Sequence, residues 1–86
     1  MSRPRVRIYT KTGCPYSARA LRILREHEVP FEEINISGRE ELQDELYRLC
    51  GRRDVPQVFV DGRHIGDDDA LEEWARGGKL DALRTA

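Results

Sequence analysis

The spacing of apolar side chains along the chain predicts strands and helices in alternation. Near the start, Val6 and Ile8 alternate with polar neighbours at the period of a strand, and the segment around residues 18–26 carries an apolar stripe at helical spacing. The same two periods recur to the end of the chain. They predict strands over residues 5–9, 31–36, 55–60 and 63–65, helices over residues 15–26, 39–50 and 67–76, and a final turn at residues 80–83.

Proline and glycine residues mark the boundaries between these segments. Pro15 suits the first position of a helix, and Pro30 ends that helix because the residue before a proline avoids helical angles. Gly51 is a typical helix stop, and the pair Asp61–Gly62 favours a tight hairpin turn. The resulting order, βαβα followed by ββα, predicts an α/β fold with a mixed four-stranded sheet flanked by helices.

Length and composition restrict the class of protein. The 86 residues suffice for one domain, residues 1–86, and 38% hydrophobic with 36% charged residues leaves no segment apolar enough to span a membrane. Two cysteines are too few for a disulfide framework, and no secretory signal is visible. A net charge of −1 indicates no nucleic-acid surface. We therefore expect a cytoplasmic, monomeric protein that binds neither membrane nor nucleic acid.

Charge is unevenly distributed along the sequence. Residues 1–25 contain seven basic side chains and no acid, whereas all sixteen acids follow residue 25. Cys14 lies inside this basic third, and positive surroundings favour a thiolate. The alternative is that these charges pair with acids from the rest of the chain once it folds, and the sequence leaves both interpretations open.

Cys14 is the candidate for chemistry. It falls between a predicted strand and a predicted helix, so its side chain meets the unpaired N–H groups and the positive dipole end of that helix. Lys11, three residues earlier, can add a full positive charge. An activated thiolate at such a turn is what thiol–disulfide exchange requires, and we expect the pKa of Cys14 to lie below that of a free cysteine.

Three separated motifs carry a family resemblance. They are Tyr9-Thr10-Lys11 with Cys14-Pro15-Tyr16, then Val55-Pro56-Gln57-Val58-Phe59-Val60-Asp61, then His64-Ile65-Gly66. With this spacing the chain resembles the small bacterial glutaredoxins over roughly residues 5–84. The resemblance implies a thioredoxin-like fold and an enzyme that exchanges disulfides with glutathione as co-substrate.

The resemblance also implies roles for individual residues. Cys14 corresponds to the nucleophile, and Pro56 to a cis-proline that faces it. The backbone of Val55 would pair with the cysteinyl backbone of glutathione.

The carboxylates of glutathione have implied partners at both ends of the groove. Lys11 and Arg52 match the positions that hold the glycine carboxylate, and Tyr16 would line the groove. Asp68 and Asp69 match the loop that holds the γ-glutamyl end, Asp69 by its carboxylate and its backbone N–H.

The chain departs from the two-thiol members of the family at Ser17, which stands where they have a second cysteine. With no second thiol in the motif, Cys14 cannot close an internal disulfide there. The predicted mechanism is therefore monothiol: Cys14 takes glutathione from a protein–glutathione mixed disulfide, and a second glutathione resolves the adduct. Pro15 and Ser17 are predicted to support the thiolate, Ser17 by a hydrogen bond.

Other departures concern acidic residues. Asp54 replaces the usual threonine before Val55-Pro56, Asp67 and Asp68 replace glycine and cysteine or serine, and Ala70 replaces an acid. Extra carboxylates near the γ-glutamyl end would repel glutathione and weaken its binding several-fold.

Alternatives remain open for the function. Two chains could hold a [2Fe–2S] cluster with Cys14 and one glutathione each, although Pro15 would stiffen the loop against that geometry. The protein could instead use another thiol or a flavin reductase. Cys50 is predicted to be a half-buried helix residue and not a resolving thiol, and the aspartates at 67–69 favour helix capping over a metal site.

Overall fold

The computed structural model describes residues 4–84, and its elements follow the predicted order. The strands are β1 Val6–Thr10, β2 Phe31–Asn35, β3 Gln57–Val60 and β4 Arg63–Gly66; the helices are α1 Pro15–Glu26, α2 Glu40–Cys50 and α3 Asp68–Arg76; a 3₁₀ turn covers Leu80–Leu83. Within this part of the chain, no helix has the length and apolar character needed to cross a membrane.

The four strands form one mixed sheet in the order β2-β1-β3-β4. β1 runs parallel to β2, with Val6 opposite Phe31, and antiparallel to β3, with Val6 opposite Val60 and Tyr9 opposite Gln57. The end of β1 therefore lies beside the start of β3. The loop that carries Cys14 and the segment that precedes β3 therefore meet at the same end of these two central strands.

The alternation within β1 sends its side chains to two cores, one on each face of the sheet. Val6 and Ile8 pack with residues of α1 and α3 on one face, and Tyr9 packs with Leu46 of α2 and with Phe59 on the other. Ile8, Tyr9 and Leu46 are fully buried. Both faces are thus covered by helices, which holds β1 and the start of α1 rigidly in place.

Several element boundaries differ from the sequence predictions: β1 covers Val6–Thr10 where residues 5–9 were predicted, β2 ends at Asn35, and β4 ends at Gly66. Val55 and Pro56, predicted inside a strand, precede β3, because Pro56 has no N–H for the ladder; the Val55–Pro56 bond is cis, as predicted. Arg39 and Asp67, predicted as first helical residues, are instead the N-cap residues of α2 and α3. The turn at Asp61–Gly62 is confirmed, with positive φ at both residues.

The basic N-terminal third pairs with later acids on folding. Arg5 bonds Asp61, Arg7 bonds Glu32, and Arg19 bonds acids of α3. Arg3, which contributes to the same basic segment, lies outside the described residues. The interpretation in which these charges balance after folding therefore holds for the three arginines with observed partners.

Candidate active site

Cys14 begins the first helix. It is the N-cap residue of α1, with extended backbone angles, and Pro15 takes the first helical position as predicted. Its N–H donates to the Lys11 carbonyl at 3.3 Å, across a turn in which Gly13 has a φ of 78°. Its side chain is partly exposed. The thiol therefore faces the unpaired N–H groups at the start of α1.

The pKa of the Cys14 thiol is lowered from its ordinary value. Burial acts to raise this pKa, but a hydrogen bond from the Ser17 hydroxyl, with others from the backbone N–H groups of Ser17 and Tyr16, outweighs it. The nearby Asp68 carboxylate opposes the shift. The predicted lowering is thus present, and hydrogen bonds at the start of α1 cause it.

Val55 and Pro56 lie across from the thiol. The sulfur of Cys14 lies 3.9 Å from the carbonyl oxygen of Val55, and the Val55–Pro56 peptide bond is cis. Pro56 is buried, whereas Val55 is partly exposed. Val55 comes before β3 begins, so its backbone lies beside Cys14 but outside the ladder of the sheet.

Arg52 is bound to an acid of its own loop. Its Nε and Nη2 atoms donate to the two carboxylate oxygens of Asp54 at 2.9 and 2.6 Å. The bonds to Arg52 lower the pKa of the Asp54 carboxyl, and the charge of Lys11 acts in the same direction. Both cations that the family resemblance assigned to the glycine carboxylate of glutathione therefore act on one carboxylate of the chain, and Arg52 bonds it directly.

Arg19 ties the first helix to the third. One Nη atom of its guanidinium donates to Asp68 at 2.7 Å and to Asp69 at 2.8 Å, and the other contacts Glu72. The Asp68 side chain is buried, so Arg19 supplies the counter-charge that a buried carboxylate needs. Arg19 was not predicted as a site residue; its position on the polar face of α1 was the one available signal.

The start of α3 is capped from within the chain. The Asp67 carboxylate accepts hydrogen bonds from the backbone N–H groups of Asp69 at 3.0 Å and Ala70 at 3.3 Å. This is the capping role that the sequence predicted for this run of aspartates. It also means that the N–H of Asp69, predicted to hold the γ-glutamyl carboxylate, already has a partner.

A groove of about 300 Å³ contains part of the predicted site, although Arg52 and Pro56 do not line it. Its walls contain four of the predicted glutathione residues together with three that the sequence had not assigned to binding. It is lined by Tyr16, Arg19, Asp54, Val55, Asp67, Asp68 and Asp69. A neighbouring hollow is lined by Lys11, Cys14, Pro15 and Ser17, among others. Tyr16 is 63% exposed, so its ring is accessible to a ligand.

Comparison with known proteins gives the family. The family model described as Glutaredoxin matches residues 6–65, which is more than half of the chain.

The chain belongs to the glutaredoxin family. It is 45% identical over 83 residues to the Glutaredoxin of Pseudomonas aeruginosa, covering 96% of this chain and 99% of that one. It is 46% identical over 79 residues to Glutaredoxin 3 of Escherichia coli K12, covering 91% and 94%. The crystal structure of a buckwheat glutaredoxin–glutathione complex superimposes with a TM-score of 0.80 at 28% identity, covering 93% of this chain and 76% of that one. The predicted family and the thioredoxin-like fold are thereby confirmed.

Cys50, the second cysteine of this glutaredoxin, lies in a different environment from Cys14. Cys50 is the last residue of α2, and its sulfur donates to the Leu46 carbonyl at 3.3 Å. It is partly buried against the core that contains Tyr9. Among the described residues, neither the groove nor the hollow around Cys14 includes Cys50.

Proposed function

We propose that this glutaredoxin reduces protein–glutathione mixed disulfides by a monothiol mechanism through Cys14. The observation that carries the proposal is the environment of the thiol: hydrogen bonds at the start of α1 lower the pKa of Cys14, and Ser17 stands one helical turn away without a thiol of its own. The site thus has one activated sulfur and one hydroxyl that stabilises it.

The reaction takes two thiol–disulfide exchanges. The Cys14 thiolate attacks the glutathione sulfur of the mixed disulfide; the S–S bond breaks, and the partner protein leaves as a thiolate that takes up a proton. Cys14 is then joined to glutathione. A second glutathione thiolate attacks that glutathione sulfur, regenerates the Cys14 thiolate and leaves as glutathione disulfide. One glutathione thiol is consumed in each turnover: its sulfur is oxidised into glutathione disulfide while the partner sulfur is reduced to a thiol, and the other half of that disulfide comes from the mixed disulfide.

The groove supports a defined orientation of glutathione. The backbone of Val55, beside the thiol, would pair with the cysteinyl backbone, Lys11 and Arg52 would hold the glycine carboxylate, and Tyr16 lines the wall. The γ-glutamyl end would lie toward the start of α3, at Asp68 and Asp69. The buckwheat glutaredoxin of the same fold was crystallised as a glutathione complex, which agrees with this class of ligand.

A coupled assay tests the mechanism. A glutathionylated peptide is the substrate, with glutathione, glutathione reductase and NADPH, and the wild type is compared with Cys14→Ser and Cys50→Ser. We expect turnover to be lost in Cys14→Ser and retained in Cys50→Ser. Loss in both variants would show that Cys50 resolves the adduct and that the mechanism is dithiol.

The same protein preparation tests the alternative function predicted from the sequence, the binding of an iron–sulfur cluster. A [2Fe–2S] cluster held by Cys14 and glutathione from two chains uses the same thiol. Visible absorbance in anaerobically purified protein, lost in Cys14→Ser, would support the cluster. Colourless protein with rapid turnover supports the oxidoreductase, and fast alkylation of Cys14 without turnover would point to another reducing thiol or a flavin reductase.

A further inference from the structure

Asp54 holds the arginine that the proposed function assigns to glutathione. Two parallel hydrogen bonds join its carboxylate to the Nε–Nη2 edge of Arg52, and both side chains are more than half exposed. Such a paired geometry is the one in which an arginine recognises a carboxylate ligand. Asp54 therefore takes, from within the chain, the contact that an incoming carboxylate would make.

The charge of Lys11 also acts on the Asp54 carboxylate, in the same direction as the bonds from Arg52. Only the Nη1 side of Arg52 remains available to an incoming carboxylate. A carboxylate bound there would lie close to Asp54, and the two negative charges would repel each other. It binds well only when the Arg52–Asp54 pair opens.

We propose that Asp54 is a specificity-determining residue that occupies the cationic site for the glycine carboxylate of glutathione. It thereby slows the reaction of thiols and disulfides that carry a carboxylate at this end of the groove, glutathione included, relative to those that carry none. The inference rests on the proposed function, because it takes Arg52 and Lys11 as the glycine-carboxylate residues. The pair is a surface ion pair, so the expected effect on the rate is about two- to fivefold.

The first exchange with glutathione disulfide isolates this effect. Reduced protein reacts with glutathione disulfide, Cys14 gains glutathione, and one glutathione leaves as a thiolate. The second-order rate constant is measured by acid quench and intact mass. The matched probe is the disulfide of glutathione amide, whose glycine carboxylates are neutral while its γ-glutamyl ends are unchanged.

Asp54→Asn is compared with Asp61→Asn. Asp61 forms the same type of two-bond pair with Arg5 at the opposite end of β3, so both substitutions change the net charge equally. We expect Asp54→Asn to raise the rate with glutathione disulfide about two- to fivefold, with no change for the amide probe and none in Asp61→Asn. The iodoacetamide alkylation rate must stay at the wild-type value, which shows that the Cys14 thiolate is unaltered.

Several results would overturn the inference. A lower rate in Asp54→Asn would mean that Asp54 orients Arg52 for the ligand, and an equal gain with the amide probe or in Asp61→Asn would mean a general charge effect. The variant Arg52→Gln distinguishes a failure of the inference about Asp54 from a failure of the assignment of Arg52 to the glutathione site. If Arg52→Gln reacts with glutathione disulfide as fast as wild type, Arg52 does not bind glutathione, and the proposed orientation fails together with the inference.

Discussion

The sulfur of Cys14 lies 3.9 Å from the carbonyl oxygen of Val55, although 41 residues separate them in the chain. The antiparallel pairing of β1 with β3 produces this proximity, because it places the end of one strand beside the start of the other. The thiol of Cys14 and the backbone of Val55, which we propose aligns a peptide-like ligand, are thus fixed relative to each other by a sheet that is covered on both faces.

Ser17→Ala is expected to raise the pKa of Cys14 toward its ordinary value, because the largest contribution that lowers this pKa is the Ser17 hydroxyl. Since only the thiolate reacts, alkylation by iodoacetamide should show its inflection at higher pH than in wild type and should be slower below that inflection. Ser37→Ala is the matched control, because Ser37 accepts a hydrogen bond from the Thr12 N–H in the same loop. Identical profiles in all three proteins would contradict the role of Ser17.

Ser17→Cys is expected to change the fate of the glutathione adduct. In wild type the adduct on Cys14 should persist once free glutathione is removed, because no second thiol stands in the motif. In the variant the new thiol attacks the Cys14 sulfur, glutathione leaves as a thiolate, and an internal disulfide forms. The adduct is followed by intact mass over time. If the wild-type adduct decays as fast as that of the variant, and Cys50→Ser stops this decay, then Cys50 resolves the adduct.

Arg19→Gln is expected to lower the Tm by several degrees. The substitution removes the counter-charge of Asp68, whose side chain is buried, and leaves that carboxylate unpaired. Arg76→Gln is the control, because it removes an exposed pair with Glu72 four residues away on the same helix and should change the Tm little. Adding Asp68→Asn to Arg19→Gln should recover part of the loss. Equal losses for Arg19→Gln and Arg76→Gln would contradict a special role for the buried carboxylate.

Asp67→Gly is expected to raise the rate of reaction with glutathione disulfide. It frees the N–H groups of Asp69 and Ala70 for the γ-glutamyl carboxylate, while a glycine N-cap costs the helix only a few tenths of a kcal/mol. The gain should persist with the amide probe, which keeps the γ-glutamyl carboxylates. Asp67→Asn retains a capping oxygen and should gain less; a rate unchanged in Asp67→Gly would mean that a ligand does not use these N–H groups.

Much of the fold was predictable because local chemistry specifies it. Pro15 and Gly51 mark where helices begin and end, and Asp61–Gly62 supplies the positive φ angles that its turn needs. The strand boundary at Val55 was mispredicted, since its apolar side chain matches a strand while Pro56 lacks the N–H of a ladder partner. Apolar pattern alone does not reveal that difference.

The candidate site was predictable in part. Cys14 followed from its position before a helix, and the shift in its pKa has the predicted direction. Asp54 was noted as a departure, but its pairing with Arg52 was not predicted, because the two side chains meet through the conformation of a loop. Arg19 was missed because its partners lie 49 and 50 residues further along the chain.

The sequence by itself determined the order of elements, the thiol at the start of a helix and the absence of a second cysteine in its motif. These follow from residue types and spacings that act over a few positions. The tertiary structure decided which distant charges meet, above all Arg19 with the acids of α3, 49 and 50 residues further along the chain. Coulomb energies depend on distances in space, and those distances were set only when α1 came to lie beside α3, whereas the Arg52–Asp54 pair depends on the conformation of its loop.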